Sequence, residues 1–381
     1  MLKPKKILIF STAYYPFVGG AEIAIKEITD RISDCSFDLI TAKLKPGLPN
    51  FERVGNINVY RLGFGVAILD KLLLPFLGVV KVKRLNNKNQ YNFYWAMMVT
   101  FASGAGFIAN LISNKKVPII LTLQEGDSEE YLKTKWFGIL NLAWRLALKK
   151  SSVVTVISNY LGERAKKLGF QGEPILIPNG VDIKKFELKN TDNELREQIR
   201  KELGLKKDDV ALITASRLNI KNGIGDVIKA LPKLPENVKF VILGVGELEK
   251  ELKELTKKLG VSERVIFKGF VSHNEMPKFL KACDIFIRAS LSEGFGNSFV
   301  EAMAVKIPVI ATPVGGVVDF LKENETGYFC QPESPKSVVE AVQRVVSDPN
   351  KGKIIESAYQ MVQNKYNWDK IAKSMEILFN S

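Results

Sequence analysis

Residues 284–312 read Asp284-Ile-Phe-Ile-Arg-Ala-Ser-Leu-Ser-Glu-Gly-Phe-Gly-Asn-Ser-Phe-Val-Glu-Ala-Met-Ala-Val-Lys-Ile-Pro-Val-Ile-Ala-Thr312. The apolar run Asp284–Ile287 has strand length, the pattern at 297–305 is helical, and Pro308–Thr312 is apolar again. A strand without polar alternation has no face to offer water. Strand, helix and strand therefore form a βαβ unit in a parallel sheet covered on both faces.

The same alternation extends both ways. Val210-Ala-Leu-Ile-Thr, Lys239-Phe-Val-Ile-Leu and Arg264-Val-Ile-Phe are strands of the same series, separated by helix patterns at 222–231, 247–259 and 274–282, with another at 315–322. An earlier series comprises Lys6-Ile-Leu-Ile-Phe-Ser, Phe37-Asp-Leu-Ile-Thr, Ile57-Asn-Val-Tyr-Arg-Leu, Pro118-Ile-Ile-Leu-Thr-Leu, Val153-Val-Thr-Val-Ile and Pro174-Ile-Leu-Ile-Pro, with helices at Ala21–Ile32, Trp136–Lys150 and Asn159–Leu168. The fold class is α/β, with two Rossmann-like doubly wound domains expected to face a cleft. Residues 1–182 form one, 210–365 the other, and the polar segment 183–209 reads as a linker. Ligands are expected at the C-terminal ends of the strands.

Composition excludes several classes. With 46% hydrophobic and 25% charged residues, the 381-residue chain is neither disordered nor a polytopic membrane protein. Cys35, Cys283, Cys330 and the single His273 are too scattered for a Cys/His metal site and imply a reduced, cytoplasmic setting. The N-terminal apolar run Ile7–Phe10 is too short for a secretion signal. The net charge of +14 is concentrated in residues 1–180, which carry +11. That excess suits an anionic membrane surface, or simply keeps the chain soluble. No basic run interleaved with aromatics points to nucleic acid. Residues 89–114 hold no charge, yet their Asn, Ser, Thr and Gly content reads as a buried strand and small-residue helix and not as a membrane span. Phe64–Val80, followed by Lys81, Lys83 and Arg84, is either a membrane-surface segment at the cytoplasmic face or a helix closing the sheet edge.

Three loops carry candidate chemistry. Gly19-Gly20 ends the first strand's loop where a helix opens, as a phosphate site or a tight turn would. Arg217 and Lys221, four residues apart after a strand, could place two cations over one diphosphate. In the opening stretch Gly294 and Gly296 turn the chain, the amides of Gly296, Asn297 and Ser298 open a helix toward an anion, and Glu293 and Glu301 can accept hydrogen bonds from hydroxyls on either side. A phosphate flanked by polyols is a sugar nucleotide.

Ser290 to Ala304 resembles the Glu-x7-Glu signature of glycosyltransferase family 4, retaining enzymes with two Rossmann-like domains (the B-type, or GT-B, fold). Further segments resemble the same family in order: Gly19-Gly20, Ile177-Pro-Asn-Gly-Val-Asp182, Ser216-Arg-Leu with Lys221, Leu243-Gly-Val-Gly246, Lys268-Gly-Phe-Val271, Pro308–Thr312 with Val314-Gly-Gly316, and Glu325-Thr-Gly-Tyr328. The resemblance implies that Glu293 holds donor-sugar hydroxyls, Glu301 the ribose, and the amides after Phe295 the distal phosphate. It further implies that Arg217 and Lys221 stabilise the leaving diphosphate, that Gly244 and Val271 lie by the nucleotide, and that the helix from Tyr366 packs back on the first domain. The implied donor is a UDP-, GDP- or ADP-sugar, the acceptor a glycan or lipid-linked molecule, with no metal and no cofactor. The chain departs from the family at Gln124, where Thr122-Leu-Gln-Glu-Gly-Asp127 lacks the usual histidine, and at Ala289 and Lys306, where proline and glycine are common. Glu125 and Asp127 are candidates for acceptor or sugar contact. Two alternatives stand beside this reading. One is a non-catalytic sugar-nucleotide-binding subunit. The other, an NAD-dependent oxidoreductase, is weakened because Leu243-Gly-Val-Gly-Glu-Leu lacks a third glycine.

Overall fold

The computed structural model describes residues 4–127, 139–187 and 192–381. Its backbone separates into two compact units, Met1–Asn179 with Trp368–Ser381, and Gly180–Asn367.

The first unit is built on eight strands: β1 Lys5–Phe10, β2 Cys35–Ala42, β3 Phe51–Val54, β4 Ile57–Leu62, β5 Phe93–Met97, β6 Ile119–Leu123, β7 Val153–Val156 and β8 Ile175–Leu176. Their order is β3-β4-β2-β1-β5-β6-β7-β8. All neighbours are parallel except β3 and β4; the edge strand β3 is one that the apolar pattern does not announce, because its side chains alternate between exposed and half-buried. The uncharged segment 89–114 is divided between β5 and the helix Phe101–Ile112, whose Ala102, Ala105 and Ala109 are buried. Of the expected helix Trp136–Lys150, residues 139–150 are helical and 136–138 lie outside the described residues.

Within Phe64–Val80 the helix Ala67–Asn86 begins at Ala67 and continues through Pro75. Buried Asp70 fixes its entry by accepting hydrogen bonds from the amides of Leu44, Phe64 and Gly65 at 3.0, 2.7 and 2.8 Å. Leu74, Gly78, Val82 and Leu85 face inward, while Ile68, Leu72, Phe76 and Val80, four residues apart, face solvent. The last helix, Trp368–Asn380, completes this unit's core: Trp368, Ile371, Ala372, Met375 and Phe379 are buried with Ile7, Ile9, Phe37 and Trp95. Phe379 meets the Trp95 ring edge-on at 5.5 Å.

The second unit carries six parallel strands, β9 Val210–Ala215, β10 Val238–Leu243, β11 Val265–Gly269, β12 Ile285–Arg288, β13 Val309–Ala311 and β14 Tyr328–Phe329, in the order β11-β10-β9-β12-β13-β14. The expected linker 183–209 needs correcting. It contains the helices Ile183–Phe186 and Asp192–Glu202 and belongs to this unit. Arg196 binds the carbonyls of Lys281 and Cys283 and the Asp284 carboxylate at 2.6 Å, and Arg200 binds Asp284 and the carbonyls of Ala282, Lys206 and Asp209. The charges that make the segment look like a solvated connection are what attach it.

Candidate active site

At the C-terminal edge of the second sheet, neighbouring loops are tied together through their backbones. Leu291 N donates to Lys221 O at 2.7 Å, joining the β12 and β9 loops. Leu218 N donates to Val245 O at 3.1 Å, and Gly316 N to Glu293 O at 3.1 Å, adding the β10 and β13 loops. Gly244 (φ 133°) lies so close to the β9 loop that a Cβ there would stand 2.0 Å from Ser216 O. Main-chain ties of this kind fix loop positions more firmly than surface side chains do.

Glu293 is gripped by a residue that the sequence reading passed over. Arg288, buried at the end of β12, donates to Glu293 Oε2 at 2.6 Å, to Ser298 Oγ at 2.9 Å, to Ala215 O at 3.3 Å and to Ser290 Oγ at 3.2 Å, over the Phe299 ring. A charged residue closing an otherwise apolar strand was the available signal, since a buried guanidinium must find partners. Gly296 then opens the helix Asn297–Ala304 at φ 90°, where a Cβ would meet the Phe299 ring at 2.5 Å and Arg288 at 2.9 Å. Gly294 is buried and is not left-handed. The Phe295 side chain is also buried, against Phe320 and Tyr366, so only its backbone faces the loop. Ser298 commits its hydroxyl to Arg288 and keeps its amide at the helix start.

Glu301, one turn into that helix, is buried and meets the only histidine, with His273 Nε2 3.0 Å from its Oε1. Val271, two residues before His273 in the β11 loop, is half-buried. Arg217 is exposed and Lys221 half-buried on the β9 loop. Beside Arg217, Ser216 Oγ and Asn219 Oδ1 are buried without a hydrogen-bond partner among the described residues. A polar ligand would satisfy them.

The first unit's candidates divide into two groups. Gly19 and Gly20 are exposed at the opening of the helix Gly20–Thr29, which no side chain caps. After β6, Gln124 exchanges two amide hydrogen bonds of 3.2 Å with buried Asn179, so both its polar atoms have partners within the chain. Glu125 accepts from Val99 N at 2.6 Å and Gln124 N at 3.0 Å, bonds that favour its charged form. Burial outweighs them and pushes the carboxyl up from 4.5 to about 7. Asp127 O accepts from buried Arg164 at 2.7 Å.

Residues 195–368 match the family model described as glycosyl transferases group 1. The putative teichuronic acid biosynthesis glycosyltransferase TuaC of Bacillus subtilis is 30% identical over 278 residues, 72% of this chain and 67% of that one. Among solved structures, sucrose-phosphate synthase from Thermosynechococcus elongatus superposes with a TM-score of 0.87 at 21% identity, over 99% of this chain and 98% of that one. Alr3699/HepE of Anabaena, solved with UDP-glucose, superposes at 0.81 and 22% identity, over 98% and 99%. These likenesses identify the fold as GT-B.

Proposed function

We propose, from the premise that this chain belongs to the group 1 glycosyl transferases, that it is a retaining, metal-independent enzyme. It moves a sugar from a nucleoside-diphosphate sugar to a glycan or lipid-linked acceptor, in the making of a cell-surface polysaccharide or glycolipid. The observation that best supports this reading is the pair Glu293 and Glu301 at either end of one loop and helix, on loops bonded directly to the one bearing Arg217 and Lys221. Glu293 accepts hydrogen bonds from donor-sugar hydroxyls and Glu301 from the ribose. The amides of Gly296, Asn297 and Ser298 meet the distal phosphate, while Arg217 and Lys221 stabilise charge on the leaving diphosphate. The sugar's bond to that phosphate breaks with the electron pair going to the nucleotide. The acceptor oxygen bonds on the same face and gives its proton to the departing phosphate oxygen, so configuration is kept.

UDP-glucose, the ligand of the cyanobacterial neighbour, is the first donor to test, followed by GDP- and ADP-sugars. Nucleotide release is expected to need donor and acceptor together, to be indifferent to chelator, and to fall at least about 100-fold in Lys221→Ala. Full activity in that variant would remove the cationic clamp. An anomerically inverted product, read by NMR, would remove retention.

The acceptor side is read at an anionic membrane surface on the cytoplasmic face. Supporting this, exposed Ile68, Leu72 and Phe76 share the helix Ala67–Asn86 with Lys71, Lys83 and Arg84, exposed Phe64 precedes it, and the +11 of residues 1–180 attracts acidic lipid. No described helix is long and apolar enough to cross a membrane. Co-sedimentation with phosphatidylglycerol vesicles, weak with phosphatidylcholine and lost in Ile68→Ser/Phe76→Ser, is the expected result. Equal binding to both lipids would argue against it.

A further inference from the structure

His273 lies between two ionisable side chains. Its Nε2 is 3.0 Å from Glu301 Oε1, and its Nδ1 is 3.2 Å from Lys185 Nζ, which also donates to Asn274 Oδ1 at 2.9 Å. The ring packs on Phe186 with centroids 5.8 Å apart. Lys185 and Phe186 belong to the short helix Ile183–Phe186, begun by the Asp182 carboxylate, which accepts from Lys185 N at 3.3 Å. On the other side, Glu275 is taken by Lys278 at 2.8 Å, leaving Glu301 as the carboxylate bonded to the ring.

An ammonium group has donors and no acceptor, so Nδ1 has to accept from Lys185. The imidazole hydrogen is then on Nε2, directed at the buried carboxylate. We propose that His273 is a positioning residue for Glu301, and that Lys185 acts through it by fixing the Nε2–H tautomer. The imidazole N–H secures one carboxylate oxygen and holds the other for ribose hydroxyls. A neutral donor suits this task, because it orients the carboxylate without supplying a full counter-charge that would compete with those hydroxyls. The proposal rests on the ribose-binding reading of Glu301.

Because the chain has one histidine, an untagged preparation gives a single-residue imidazole spectrum. Ring ¹H–¹⁵N correlations at neutral pH are expected to show hydrogen on Nε2 and a bare Nδ1, with the Nδ1–H form appearing in Lys185→Met. An Nδ1–H tautomer in the unmodified chain overturns the proposal. Calorimetric titration with UDP, GDP and ADP in turn selects the nucleotide that binds. His273→Ala is expected to weaken it about tenfold, while His273→Gln, whose amide can donate to the same oxygen, recovers most of the affinity. Equal weakening in both variants, or none in either, overturns the positioning role. If Glu301→Ala binds nucleotide as well as the parent chain, the ribose reading fails separately, and the imidazole spectrum still decides what Lys185 does.

Discussion

Glu125 in the first unit and Glu293 in the second each follow the C-terminal end of a parallel strand, but they are held by opposite means. Glu125 is enclosed by backbone amides, Val99 and Gln124, with no cation bonded to it among the described residues, and its carboxyl rises to about 7. Glu293 bonds a buried guanidinium that is itself anchored on a strand carbonyl and two serines. Amide donors orient a carboxyl without supplying a counter-charge, so burial can still leave it exchanging protons near neutrality, whereas an arginine supplies a full counter-charge. The first arrangement suits proton traffic. The second suits a fixed hydrogen-bond acceptor.

The largest effect is expected at the arginine. Arg288→Leu leaves Glu293 without its cation and Ser298 and Ala215 without a donor, at a cost of about 3 kcal/mol or more in denaturant unfolding of the full chain. Adding Glu293→Gln should recover much of that loss, because the stranded charge is then gone. A single-variant cost below about 1 kcal/mol would erase the contrast between the two acids.

Glu125→Gln probes the other arrangement. The folded state keeps the Glu125 proton up to about 7, while its ordinary value is 4.5. Raising the pH through that interval therefore costs the unmodified chain stability relative to the variant. The gap widens by at most about 1.4 kcal/mol per pH unit and is constant above pH 7. Parallel stability curves for the two proteins from pH 4.5 to 7 would mean that Glu125 ionises like a surface acid.

The smallest effect is a backbone version of the same contrast, at the two ends of one helix. Gly296 opens Asn297–Ala304 at φ 90° without strain, but Lys306 follows its end at φ 60°, where a side chain is disfavoured. Lys306 Nζ bonds Glu356 at 2.8 Å and lies 4.1 Å over the Tyr359 ring. Lys306→Gly exchanges relieved strain for lost contacts, so a net change within about 0.5 kcal/mol is expected by thermal unfolding. Stabilisation of more than about 1 kcal/mol would show that those contacts contribute nothing.

The strands of both sheets were legible because buried parallel strands are apolar without interruption. The edge strands β3 and β14 were not, since short, half-covered strands have no such run. The segment 183–209 was misread for a related reason: pattern reading scores charge as solvent, and Arg196 and Arg200 spend theirs on carbonyls and Asp284. At the site, the backbone turns and the paired glutamates could be read from spacing. The partners of those glutamates could not, because Arg288, His273 and Lys185 meet them only through tertiary contact. The Gln124 position shows both sides. Its departure from the family was plain in the sequence, whereas its amide exchange with Asn179, 55 residues away, required the fold.

The helix Trp368–Asn380 has a consequence for how the protein is made. Five of its side chains fill the first unit's core, so residues 1–179 leave the ribosome with a hole where Trp368 and Phe379 belong. The usual order, in which an N-terminal domain finishes folding while the rest is still being synthesised, is closed to this chain. Its first half has to wait, partly assembled and with apolar surface uncovered, until residues 368–380 have been translated.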